Sequence, residues 1–430
     1  MRRGWRTLEA FLRLLVVSAL LPSGYAVALT TQESNFRPYL VGERAAGMGG
    51  AFTALADDGS GPYYNPGGLA FVGHSMLSLS GSVYGMVRGV LKDGLGTGHD
   101  FIYSDPNISP VSTSAIMKFG ADQSSANALA FSVFIPDALT LDDHSSLDTS
   151  GNYVLYTLRQ QTVWVGPTYS RRFDRLGIGA SAFALVGTET MFIDYRQGTE
   201  TAFTTTTGRR DMTMVGVVGA IGLRYDISDS LRLGLAYYSP EIGLYGTRRV
   251  FSRIETPASS QQVVLDGLQA TPSLPWRASA GFAWTSGTLT LSADVIVLGA
   301  REVHDDPNFA DRGADRWVKR NMVVNGAAGI EYVVADSFPL RAGVFTDFAS
   351  SPSPPNPAYV DTAHVDRYGG SVSIGYSTAH TSSDLGLNVS LGSGQDFGTN
   401  QLGTTATANT KLSSLSQVLC YLFLGTSYRF

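Results

Sequence analysis

The sequence predicts an all-β chain: a transmembrane antiparallel β-barrel of about 14 strands with its lumen plugged by an N-terminal hatch. Three observations point there. Of 430 residues, 48 are Gly, only 16% are charged and one is Cys, without the Glu, Lys and Leu blocks that build helices. Beyond an N-terminal leader no apolar run approaches the ~20 residues of a membrane helix, so a membrane-spanning chain has to close its strands into a barrel. The connections between alternating segments switch strictly between short and long, as they do when one rim of a barrel carries tight turns and the other carries loops.

Residues 1–28 read as a signal peptide. Arg2, Arg3 and Arg6 form a basic start, Phe11 to Leu21 is an apolar core interrupted by Arg13 and Ser18, and Ala26-Val27-Ala28 is a small-x-small cleavage site. The apolar stretch is short for a membrane anchor, and no Cys follows the cleavage site as in a lipoprotein. Its removal takes away four Arg and one Glu and moves the net charge from −5 to −8. Without a basic surplus or a Lys/Arg run, nucleic acid is excluded as a partner. Lone Cys420 leaves no disulfide to hold the chain.

Residues 29–73 form the hatch. Its centre, Gly47 to Phe71, is rich in Gly and Ala and carries Asp57, Asp58 and the turn Asn65-Pro66-Gly67-Gly68, a composition that suits a compact plug rather than a strand. The turn reads either as a simple reversal closing a short helix or as an element that shifts when a ligand binds.

Residues 74–430 form the barrel, with alternating segments at 74–87, 112–121, 125–136, 158–171, 174–187, 212–226, 230–240, 274–285, 287–299, 318–334, 339–348, 367–378, 383–392 and 415–430. Short turns follow the even segments. Long polar loops are expected at 88–111, 137–157, 188–211, 241–273, 300–317, 349–366 and 393–414. A weak repeat marks the short-turn rim: Gly166 to Tyr169, Gly222 to Tyr225, Gly281 to Trp284, Gly329 to Tyr332 and Gly425 to Tyr428 share one spacing, with Phe119 and Tyr376 in the equivalent places. The rings suit an aromatic girdle facing lipid, which turns each Gly toward the lumen. By the same period of two, Lys118, Arg224, Arg277, Glu331 and Arg429 point inward, as do Arg232, Asp294 and Arg341 by the apolar phase of their own strands. These cations either contact a ligand carboxylate or balance Glu331, Asp294 and the hatch acids.

No metal or cofactor is expected. The six His residues lack metal-site spacing, and no nucleophile elbow, zinc-protease helix, phosphate loop or dinucleotide fingerprint occurs. Paired acids at Asp57-Asp58, Asp142-Asp143 and Asp305-Asp306 read as solvated turn residues, so the chain is read as a non-enzyme.

The hatch motif, Asp57-Asp58 leading to Tyr64-Asn65-Pro66-Gly67-Gly68-Leu69, resembles that of the outer-membrane long-chain fatty-acid transporter (FadL) family, with Gly67 where that family commonly has Ala. The stretches 274–284 and 326–352 resemble its late barrel strands. The resemblance implies a bacterial outer-membrane protein that takes up long-chain fatty acids or hydrocarbons and releases them through the wall into the bilayer. Membrane lipid and a hydrophobic small molecule are then its partners. In that family the third strand is kinked, and Pro136, ending the third segment here, marks either such a break or the start of a loop. Tyr428 and Phe430 resemble the terminal signal read by the barrel-assembly machinery. The sequence leaves the oligomeric state open. A docking component of a secretion system, which has a similar fold, is the alternative reading, and a hydrolase with a rim site stands behind it.

Overall fold

The computed structural model describes residues 34–36, 39–96, 98–107, 111–120, 126–146, 151–304, 317–355, 363–399 and 410–430. The predicted signal peptide and Asp305-Asp306 lie outside them. The described N-terminal segment holds two single-turn helices, α1 (Glu43–Gly47) and α2 (Gly61–Tyr64), and a 3₁₀ turn, Pro66–Phe71. There follow β1 (Met76–Gly96), β2 (His99–Asn107), β3 (Val111–Phe119), β4 (Asn127–Ser146), β5 (Tyr153–Phe173), β6 (Leu176–Gly198), β7 (Phe203–Asp226), β8 (Leu231–Tyr238), β9 (Ile242–Thr256) and β10 (Ser259–Gln269). The chain continues through β11 (Arg277–Ser286), β12 (Leu289–Leu298), β13 (Arg301–His304), β14 (Trp317–Arg320), β15 (Val323–Val334), β16 (Phe338–Asp347), β17 (His364–Ser377), β18 (Thr381–Thr399) and β19 (Thr410–Arg429).

Fourteen of these close a ring, in the order β1, β3 to β8, β11, β12 and β15 to β19, every pairing antiparallel. Closure is made by β1 on β19, from Met76↔Arg429 to Leu91↔Leu415. A closed ring leaves no long edge of unpaired backbone, which is what hydrocarbon demands.

Four of the predicted long loops, 88–111, 137–157, 188–211 and 241–273, are largely β-structure among the described residues. β4 and β5 stay paired up to Ser146↔Tyr153, β6 and β7 up to Gly198↔Phe203, and 242–269 forms the β9–β10 hairpin. In β5 the apolar alternation continues inward at Val154, Tyr156 and Leu158, whereas in polar stretches such as 203–211 the ladder bonds hold without apolar side chains. Asp142 and Asp143 accordingly sit in β4 rather than in a turn. Predicted segment 318–334 is two strands, β14 and β15, parted at 321–322.

Pro136 also departs from expectation. It neither ends β4 nor starts a loop but lies inside the strand, where pairing jumps from Phe134↔Trp164 to Asp137↔Thr162. Two residues there oppose one, a β-bulge at the place where Pro lacks a ladder donor.

Side chains follow the expected parity. Phe119, Tyr169, Tyr225, Tyr332, Tyr376 and Tyr428 are 42–51% exposed on the outside, whereas Arg224, Asp294, Glu331 and Arg341 are buried within. A charge on the outer face has no such partner. Val344→Arg, at an outward position near mid-strand, should therefore cost about 2–4 kcal/mol in a urea unfolding series in lipid vesicles.

Candidate functional site

The N-terminal segment runs along the inward faces of the strands, and glycines let it come close. A Cβ built on Gly425 of β19 would lie 2.6 Å from the Glu43 Cβ, one on Gly343 of β16 2.2 Å from the Gly49 nitrogen, and one on Gly234 of β8 2.1 Å from the Thr53 oxygen. On Gly222 of β7 it would lie 2.1 Å from Asn65 Oδ1. Gly281 and Gly329 meet Thr53 and Met48 in the same way. Four glycines of the girdle repeat thus serve as seats for the segment's backbone; the fifth, Gly166, instead meets Ala182 of β6.

The Asn65 turn is held from both sides. Its Oδ1 accepts from the Gly67 amide at 2.9 Å, while Nδ2 donates to the Thr53 oxygen at 2.8 Å and to Leu223 of β7 at 2.9 Å. A Cβ on Gly67 would fall 2.6 Å from the Gly222 carbonyl oxygen, so Ala there would require the wall to shift. Pro66 and Gly68 are buried beside it. Gly222→Val should push this turn off its seat, and the Gly67 amide should lose its hydrogen-exchange protection, while the outer ladders keep theirs.

Two hydrogen-bonding centres fix the rest. One oxygen of Asp294 accepts from the Phe52 and Thr53 amides, both at 2.8 Å, and from Thr53 Oγ1 at 2.7 Å. The other centre is a charge network. Arg44 of α1 lies between Glu331, with contacts at 2.9 and 3.0 Å, and Asp57 at 2.8 Å. Arg341 joins Glu331 to Asp384, and Arg224 joins Asp57 to Asp226 while donating to the Leu55 oxygen at 2.7 Å. Asp57 is therefore an ion-pair partner rather than a solvated turn acid. Burial would raise its carboxyl, but Arg44 and then Arg224 outweigh that and hold it below the ordinary range. Asp58 accepts from the Ser60 amide and hydroxyl and is raised, by burial above all. Beside it, Glu43 is pushed up to about 8, by burial first and by Asp58 next.

Two cavities flank the segment. On the short-turn side, about 420 Å³ is lined by Glu43, Asp58, Arg341, Asp384 and Arg429. On the other side a cavity of about 160 Å³ is lined by the apolar Tyr63, Trp164, Leu185, Met214, Val218, Tyr238, Leu274 and Leu298, by Pro136, and by the polar Asp137, Gln160, Thr162, Glu189, Glu241, Arg277 and Arg320. Tyr63, Phe134, Trp164 and Phe183 pack edge-on or tilted, with ring centroids 5.6–6.0 Å apart.

Of the predicted lumen cations, Arg277 alone reaches the apolar cavity, where its guanidinium lies 4.0 Å from the Tyr238 ring centroid and donates to the Tyr63 oxygen. Arg341 lines the polar cavity. Arg232 donates to Thr285, and Lys118 to the Gly73 oxygen at the rim. Tyr428 faces outward, and the Phe430 amide bonds the Ser75 oxygen at the closure of the ring. Sequence reasoning missed Arg44 and the apolar lining. Inward parity at Trp164, Val218 and Tyr238 was the available signal, since it sets apolar side chains where a water-filled lumen would need polar ones.

Fold and site define a closed fourteen-strand barrel of the membrane type with its own N-terminal segment against the inner wall. The fold is the FadL-type barrel. It is similar to the CymD monoaromatic hydrocarbon channel (TM-score 0.59, 15% identity, 92% of this chain and 99% of that one). A Pseudomonas aeruginosa FadL homologue is similar at TM-score 0.57 and 14% identity, over 93% and 98% of the two chains. The P. putida toluene transporter TodX gives 0.61 and 14%, over 92% and 99%. No family model matches the chain, and no curated protein is similar to it in sequence.

Proposed function

We propose that this chain is a bacterial outer-membrane transport protein that takes up hydrophobic compounds, with the N-terminal segment as plug and release sideways into the bilayer. The observation that carries this reading is the apolar cavity of about 160 Å³ between the segment and the wall. A cavity of about 150 Å³ holds one benzene ring, so the space, with Trp164, Leu185, Val218 and Leu298 in its lining beside Asp137, Gln160 and Glu189, has the volume for a single-ring hydrocarbon or the end of an acyl chain. The named neighbours include channels for monoaromatic hydrocarbons and toluene, which supports the same class of cargo.

The physics favours such a route. An apolar solute gains roughly 25 cal/mol for each Å² it removes from water, so aromatic walls hold it where an aqueous pore does not. The ion pairs Arg44–Glu331 and Arg224–Asp57 join the plug to the wall meanwhile. Protein reconstituted in vesicles should take up toluene or a long-chain fatty acid, and deletion of 34–73 should open a pathway for small ions. Absence of any binding or uptake of such solutes, with ions passing the deletion variant, would remove the transport reading and leave only a plugged barrel.

A further inference from the structure

One cation stands on the lipid side of the wall. Within six residues of the short turns, among the described residues of the fourteen strands, Arg171 of β5 is the charged side chain with outward parity, exposed between Tyr169 and Phe173. Across its ladders it faces Asn127 of β4 and Ile178 of β6, neither of them an acid. Its guanidinium lies 4.9 Å from the Phe173 ring centroid, on the rim side, and makes no ion pair among the described residues. The neighbouring cations are engaged. Arg172 donates to the Asp174 oxygen at 2.7 Å and lies 4.5 Å from the Phe71 ring centroid of the plug, and Arg175 meets Asp229 at 3.6 Å. An unpaired outward cation so close to a turn sits at headgroup level, where its long stem sets the charge among lipid phosphates.

From Arg171 a trough crosses the wall. One ladder row joins Arg171, Ile178, Leu223, Leu235, Ala280 and Val295, and all six line an apolar concavity of about 780 Å³ on the outer face. With strands about 4.8 Å apart, the row is about 24 Å long. It also climbs. Arg171 and Ile178 lie two residues from the turn ends Phe173 and Leu176, Leu235 lies four from Leu231, and Ala280 and Val295 lie six from Ser286 and Leu289. In the adjacent row Ala180 and Ala278 alternate with Tyr169, Ile221 and Tyr237, so methyl groups make the floor and larger side chains the banks. The trough therefore runs from headgroup level to mid-depth, the course of an acyl chain that hangs from a phosphate at Arg171.

We propose that this face is a phospholipid site: the phosphate of one lipid in the leaflet on the short-turn side pairs with Arg171, and one acyl chain follows the ladder row to Val295. Lipid tails are as apolar as the leucines they touch, so the chain gains little by leaving its neighbours, and the ion pair decides which lipid stays. Phosphatidylethanolamine brings an ammonium that competes for its own phosphate, whereas phosphatidylglycerol brings an uncompensated negative charge. The site selects phosphatidylglycerol. It does so whatever solute the barrel carries, because the trough lies outside the lumen.

The test titrates the full chain in mild detergent with dioleoylphosphatidylglycerol or dioleoylphosphatidylethanolamine and reads retained lipid by native mass spectrometry. Wild type should hold one phosphatidylglycerol under activation that strips the rest, at least fivefold more often than phosphatidylethanolamine. Arg171→Gln should abolish that preference, and Arg171→Lys should keep part of it. Ala280→Trp, which fills the trough and leaves the charge, should cut retention at least fivefold. Val372→Trp, outward on β17 and away from the trough, should bind as wild type does. All four positions face outward, so the variants leave the interior untouched, and the faster migration of unheated barrel in electrophoresis checks that each has folded. Equal retention of the two lipids by wild type, an unchanged preference in Arg171→Gln, or full retention in Ala280→Trp overturns the site and leaves an ordinary lipid annulus. An equal loss in Val372→Trp overturns it as well.

Discussion

Glu331→Ala is expected to release the N-terminal segment from the wall and to lower stability by about 3–5 kcal/mol, the cost of breaking a buried ion pair from one side. Glu331 receives two guanidiniums, Arg44 from the segment and Arg341 from β16, and its side chain is only 8% exposed. Alanine leaves Arg44 with Asp57 and Arg341 with Asp384, each short of one acceptor, and the Arg341 side chain is only 4% exposed. Removing either cation instead would leave Glu331 one partner, so the acid is the more damaging loss. Planar-bilayer recording should show ion-conducting events absent from wild type, and amides of α1 should exchange faster. Glu331→Gln, which keeps the shape and one acceptor, should fall between. Wild-type conductance and exchange in the alanine variant would mean that the glycine seats and Asp294 hold the segment by themselves, with the ion pairs adding nothing to its position.

What could be read from the sequence followed from period two and from the demands of hydrocarbon. A buried Arg224 beside outward Leu223 and Tyr225 obeys a rule that each strand repeats, so the ring, its parity and its girdle were legible. Interruption was not. Nothing at 239–241 or 270–276 separates a strand that ends from one that pauses, because a break is defined by what the neighbouring strand does. Polar stretches such as 203–211 were read as loops for a related reason: the ladder bonds there hold without apolar side chains. The segment's partners were hidden too. Arg44 lies 287 residues from Glu331 in sequence, and only closure of the barrel brings them to hydrogen-bonding distance. Glycine was the informative residue, since its recurrence at fixed spacing marked inward places where a second backbone needed room.

Raising the pH from about 4.5 to about 8 is expected to loosen the segment through Glu43. This acid is buried on α1 against Gly425, with Asp58 and Asp384 nearby and Arg341 opposing them, and its folded pKa of about 8 stands above the ordinary 4.5. The folded chain thus binds the proton more tightly than the unfolded one. Its contribution is full below pH 4.5 and disappears as pH rises through about 8, the reverse of a salt-bridged carboxylate. The whole change is on the order of 5 kcal/mol, enough to alter how often the segment leaves its seat. Asp57 acts in the opposite sense, because Arg44 and Arg224 favour its ionised form, but its folded pKa is depressed, so its contribution falls away in the acid range. Conductance should increase and α1 amide protection, corrected for the base-catalysed intrinsic exchange rate, should fall between pH 5 and 9 in wild type, and both should stay nearly flat in Glu43→Gln, which keeps the side-chain shape without the charge. An equal slope in both proteins would assign the pH response to Asp58, whose carboxyl is also raised by burial, and Asp58→Asn would then be the variant that flattens it.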